Sequence, residues 1–85
     1  MRRSIDDQPI GVDDLPPGAE DATALSWSVA ICDDYDDAEP RVVLTVEDIG
    51  NPGAGLVAHL SAEQTRRLRG ALHDALREVG QDTGR

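Results

Sequence analysis

Residues 55 to 80 constrain this chain more than any other stretch, because Gly-Leu-Val-Ala-His-Leu runs without a spacer into Ser-Ala-Glu-Gln-Thr-Arg-Arg-Leu and on to Val79 and Gly80. Leu56, Ala58 and Leu60 alternate with Val57 and His59, the period of a strand. Ser61 then offers a hydroxyl to a free backbone N–H of a first helical turn, and Gln64 three residues on can reach back in a capping box. Glu63 suits the positive end of the helix dipole, and Gly80 suits a left-handed stop. Between them Leu68, Leu72, Ala75, Leu76 and Val79 recur at helical spacing, which predicts a helix over 62–79 with one apolar stripe. A strand that turns straight into such a helix needs further strands beside it to cover the stripe, so an α+β domain is required.

Those strands are legible upstream. Leu25, Trp27, Val29 and Ile31 alternate with Ser26, Ser28, Ala30 and Cys32, and Val42, Leu44 and Val46 alternate with Arg41, Val43, Thr45 and Glu47. Leu25, Trp27, Val29 and Ile31 share the core face with Val42, Leu44 and Val46. Asp33 to Pro40 is too charged to extend a strand, and Pro40 cannot donate to a ladder, so it is a connecting loop. Gly50, Asn51, Pro52, Gly53 and Gly55 make the next turn region. The expected architecture is a three-stranded antiparallel meander packed against one C-terminal amphipathic helix, a ββ(β)α domain over 25–80. Residues 81–85 are expected to be a disordered end.

Residues 1–24 follow no period. They carry Asp6, Asp7, Asp13, Asp14, Glu20 and Asp21 with three prolines, and Ile5, Ile10, Val12 and Leu15 are scattered among them. Low hydrophobicity with like charge does not offset chain entropy, so this segment is expected to be a flexible acidic tail, or a recognition segment that orders on a partner. Residues 1–54 hold 13 acids against three Arg, whereas residues 55–85 hold four acids against five Arg. A net charge of −9 repels nucleic acid and anionic lipid at long range and favours a basic protein partner.

With 85 residues and no Phe, the core is small. Val43 and Val57 fall on the sheet face away from the helix, beside Ala30, and an apolar patch there is expected to receive a second copy or a partner. A homodimer follows as the expected state.

Chemistry-bearing constellations are weak. Asp33, Asp34, Asp36 and Asp37 resemble a cation loop only superficially, since the alternating ligands, the central Gly and the distant Glu of a calcium loop are missing; the run is expected to be a solvated strand connection, with an acidic patch for a basic partner as the sharper reading. Cys32, His59 and His73 are possible zinc donors, but no pair has close ligand spacing, and no metal or other cofactor is expected. Arg66, Arg67 and Arg69 form the basic cluster, with Arg66 and Arg69 on one flank, suited to an acidic segment of this chain or of a partner. Direct nucleic-acid binding is not expected, because stacking aromatics are lacking. Trp27 reads as a core anchor. No phosphate-binding glycine motif and no ordered Ser, His and Asp set is present, so the chain is not expected to be an enzyme.

A lone cysteine and the lack of an apolar leader after Met1-Arg2-Arg3 place the expected compartment in the cytoplasm, and no stretch approaches the length of a membrane span. The segment Leu60-Ser61-Ala62-Glu63-Gln64-Thr65-Arg66-Arg67-Leu68, continuing through Ala71-Leu72 to Ala75-Leu76, resembles the C-terminal part of small uncharacterised proteins of high-GC actinobacteria, in which a strand leads into a Leu-Ser/Thr-x-Glu-Gln helix. The resemblance covers about a third of the chain and implies a bacterial setting without any activity or site residue. The expectation is a non-enzymatic accessory or regulatory protein acting through protein contacts as a homodimer. The alternative is an acidic mimic of nucleic acid that blocks a DNA-binding protein, and a small metal-binding or enzymatic protein ranks third.

Overall fold

The described residues form four antiparallel strands followed by one helix, in the order β1 (Arg2–Ile10), β2 (Leu25–Cys32), β3 (Arg41–Asp48), β4 (Gly55–Leu60) and α1 (Ala62–Glu78). The computed structural model describes residues 1–19 and 21–84; Glu20 of the expected tail and Arg85 of the expected loose end lie outside the described residues. The fold is α+β, and the sheet is a meander of order β1-β2-β3-β4.

The expectation of three strands is corrected to four. Residues 2–10, expected to be part of a flexible tail, pair along their length with β2, from Arg2 opposite Cys32 to Ile10 opposite Leu25. Every residue of β1 is exposed, so its ordering comes from backbone hydrogen bonds to the otherwise unpaired edge of β2 and not from an apolar face. That is why alternation failed to reveal it. Pro9 is tolerated because this is an edge strand, and the pairing register shifts between Ser4 and Asp6, a bulge that moves Ile5 out of alternation. Charges, a proline and a bulge together are the devices that keep an edge from pairing with another chain. Residues 11–19 and 21–24 remain irregular apart from a 3-10 turn at Val12–Asp14.

Register fixes two faces. Trp27 opposes Val46, Val29 opposes Leu44 and Ile31 opposes Val42, with Leu56, Ala58 and Leu60 continuing the row on β4. This face lies under α1. The other face carries Ala30 opposite Val43, Cys32 opposite Arg41, and His59 opposite Val43 on β4.

The helix begins and ends as its sequence requires. Gln64 N–H donates to Ser61 Oγ at 3.2 Å, and Ser61 N–H donates to Gln64 Oε1 at 3.1 Å, closing the capping box. At the far end Gly80 takes φ 74°, its N–H donates to the Arg77 carbonyl, and Gln81 N–H donates to the Leu76 carbonyl. This is the paired-carbonyl stop that glycine makes cheaply. No residue of α1 is buried, however, and the helix rests mainly on β3 and β4.

Candidate functional site

The two sheet faces have exchanged the roles that alternation assigned to them. Val43 was expected on an exposed apolar patch with Val57, yet at 1% exposure it is the most deeply buried residue among those described. Ala30 and Cys32 are buried beside it. The cause is the 33–40 loop, which folds back over the outer face so that Tyr35 packs on this cluster. Small side chains on the outer side of β2, Ser28, Ala30 and Cys32, leave a shallow bed in which a ring can lie.

Three contacts hold the ring down. The Tyr35 hydroxyl and His59 Nδ1 share a 2.8 Å hydrogen bond, and the two rings meet edge to face at 5.6 Å. The Arg41 guanidinium stands 4.7 Å over the Tyr35 ring. Arg41 is in turn clamped by Asp37, whose two carboxylate oxygens accept from its two terminal nitrogens at 3.0 and 2.7 Å. The hydrogen bond from Arg41 holds the Asp37 carboxyl well below the usual carboxylate range, and desolvation pushes the Tyr35 hydroxyl up.

The remaining loop acids have local partners as well. The Met1 ammonium donates to Asp33 at 2.6 Å and to Asp34, tying the start of β1 to the loop. These hydrogen bonds raise the ammonium to about 10 and lower Asp33. Of the four expected contact acids, Asp33, Asp34 and Asp37 therefore face cations of this chain, and Asp36 alone stands on the exposed surface without such a pair among the described residues. The structure thus engages the acidic loop in sealing the outer face. Val57, 52% exposed, sits on β4 opposite Thr45, apart from the buried cluster.

The open face is the helix side. None of the residues expected to form the core there is fully buried, and Leu72 and Val79 on the helix stripe are 61% and 69% exposed. Between α1 and the sheet lies a groove of about 570 Å³ whose apolar lining includes Val29, Leu44, Leu60, Leu68, Leu72 and Leu76. Arg66, Arg69 and His73 also line it, so the structure brings the expected basic flank to the apolar groove. Thr83, beyond the helix, lines it too. Neither Arg66 nor Arg69 makes an ion pair among the described residues.

Cys32 is buried and unpaired, and its sulfur accepts the Asp34 N–H at 3.5 Å. His59 faces Tyr35 and His73 approaches Asp74 at 3.4 Å, so these three possible donors do not converge. Among the described residues no three His, Cys, Asp or Glu side chains are grouped as a metal ion would require. Among the described residues no helix is long and apolar enough to cross a membrane.

The chain matches no protein-family model, and no curated protein or solved structure shows detectable similarity to it.

Proposed function

We propose that this chain is a non-enzymatic accessory or regulatory protein of the cytoplasm that acts through protein–protein contacts, with a homodimer as its working form. The observation that carries this reading is the half-covered apolar face: rows of Leu, Val, Ile, Trp and Ala side chains along β2, β3 and β4 on one side of the sheet, capped by a helix none of whose residues is buried. Apolar surface left in water this way is costly, at about 25 cal/mol for each Å² that could be removed from it. Monomers rarely keep contiguous apolar patches beyond about 300–600 Å², and larger ones mark interaction sites. The acidic loop, by contrast, is held in internal pairs, which leaves it less suited to imitate a nucleic-acid backbone.

Affinity capture from native lysate tests the reading. The wild-type chain is expected to retain a protein partner specifically and to lose it when Leu68 and Leu72 are both changed to Ser. Recovery of the same proteins by both forms, or of none, defeats it.

A further inference from the structure

The molecule measures 45 × 33 × 15 Å with a radius of gyration of 15.0 Å. A compact chain of this length has a radius of about 12 Å. Its accessible surface is 6780 Å². A folded monomer of 9.1 kDa is expected to expose about 4,900 Å². The excess, about 1,900 Å², is larger than the roughly 800 Å² per partner of a standard interface and falls in the range of obligate homodimers.

The exposed edge strand β1 and the irregular residues after it contribute to this excess, and another part of it lies on the helix side of the sheet. Four strands spaced about 4.8 Å apart make a sheet wide enough for two helices of about 10 Å diameter, and one helix covers only half of it. Because α1 leans on β3 and β4, the β1–β2 half of the same face is left largely open: Leu25, Trp27, Val29 and Ile31 of β2 are half-buried and form its apolar bed, and β1 borders them with exposed Ile10 and with Arg3, Asp6 and Gln8. Beside it stands the outward part of the helix stripe, Leu72 and Val79. A 17-residue helix is about 25 Å long, close to the span of an eight-residue strand.

We propose that the open face is closed by a second copy of this chain in a two-fold arrangement, the outward stripe of α1 in each protomer packing on the uncovered β1–β2 half of its partner's sheet around Trp27. This rests on the protein-contact reading above and adds the surface and its occupant. The surface is self-complementary: each copy presents one apolar ridge and one apolar bed, so a single two-fold rotation satisfies both, as an isologous interface demands. Charge agrees. Arg66 and Arg69 line the groove without ion pairs among the described residues, while Asp6 lies on the same face of β1, opposite Val29, with Asp13 and Asp14 in the turn beyond outnumbering Arg3, which shares that face opposite Ile31. A uniformly basic or acidic partner would meet one of these groups with like charge, whereas a second copy offers each its opposite. Edge-to-edge pairing through β1 is opposed by Pro9, the bulge and the charges already described.

Light scattering over a dilution series, with the emission of Trp27 followed in parallel, tests the assignment on the full chain. The wild type is expected at twice the 9.1 kDa monomer mass, with Trp27 emission moving to longer wavelength as the dimer dissociates. Leu72→Arg, on an exposed helical position, is expected to weaken the dimer about 30-fold or more, as loss of an interface anchor does. Val57→Arg, on the other sheet face, is expected to leave it intact. Val79→Arg, at the helix end, repeats the test should Leu72→Arg fail to fold, and circular dichroism of each variant identifies that case. A dimer that survives both helix substitutions but not Val57→Arg overturns this interface while leaving the homodimer reading standing. A wild type that remains monomeric throughout the series overturns both.

Discussion

The Tyr35 hydroxyl stands 2.8 Å from Nδ1 of His59, and this one contact joins the acidic loop after β2 to the far strand of the sheet. Because Arg41 stacks on the same ring and is itself held by Asp37, the loop is a lid over Val43, Ala30 and Cys32 rather than a solvated connection. Tyr35→Phe keeps the ring and removes the hydrogen bond, and is expected to cost about 1 kcal/mol. Tyr35→Ala uncovers the cluster and is expected to cost about 2–3 kcal/mol, by chemical denaturation. The buried Cys32 thiol supplies a second readout: it should react with a thiol reagent much faster in Tyr35→Ala than in Tyr35→Phe. Equal reactivity in the two would mean that the ring does not shield it.

The exchange of faces is testable through two valines. Val43, 1% exposed, and Val57, 52% exposed, were indistinguishable by alternation, being both on the side away from the helix. Val43→Ala leaves a cavity under Tyr35 and is expected to destabilise the protein by about 2 kcal/mol. Val57→Ala is expected to change stability by less than about 0.5 kcal/mol. Comparable losses would contradict the lid.

What the sequence revealed and what it hid divide along physical lines. Strands β2, β3 and β4 and the helix were legible because each carries an apolar period in its own sequence, and the Ser61 and Gly80 caps because backbone chemistry at helix ends is local. Strand β1 was not, since an edge strand whose nine residues are all exposed is held by the neighbour's backbone and leaves no trace in side-chain pattern. The lid was hidden for a related reason. Burial of Val43 depends on where Tyr35 lands, a contact across a charged loop that composition marks as solvent-exposed. A lone aromatic following a strand with small outward residues was the available sign. Helical spacing puts Arg66 and Arg69 on one flank, but only the packing of α1 on β3 and β4 places them at the groove.

Acid should remove the stability that the lid's ion pairs contribute. Asp37 has its carboxyl lowered by the Arg41 hydrogen bond, so its contribution is fully present above the ordinary carboxylate range and is lost as pH falls toward its folded value. Asp33 behaves in the same sense through the Met1 ammonium. The ammonium itself works in the opposite direction: raised to about 10, it contributes fully below its ordinary value of 8.0 and loses that contribution as pH rises through about 10. Stability measured against pH is therefore expected to fall at both ends, and Asp37→Asn to flatten the acid limb alone. An acid limb unchanged by that substitution would show that the Asp37–Arg41 pair does not couple to folding.

Two glycines should respond to alanine with opposite signs. A Cβ at Gly55, where β4 begins beside Glu47, would lie 2.9 Å from the Val46 carbonyl oxygen and 3.0 Å from the Glu47 Cβ. Neither neighbour is the loose end of a side chain, so the strand must shift, and Gly55→Ala is expected to cost about 1–3 kcal/mol. A Cβ at Gly70, inside α1, meets nothing within 4 Å. There the only effect is on the backbone, and Gly70→Ala is expected to stabilise the protein by about 0.5–1 kcal/mol. Both should be measured at matched protein concentration, because dimer stability depends on it. Stabilisation by Gly55→Ala would mean that the entry to β4 is looser than its contacts require, and destabilisation by Gly70→Ala would mean that another chain approaches the helix closely at that position.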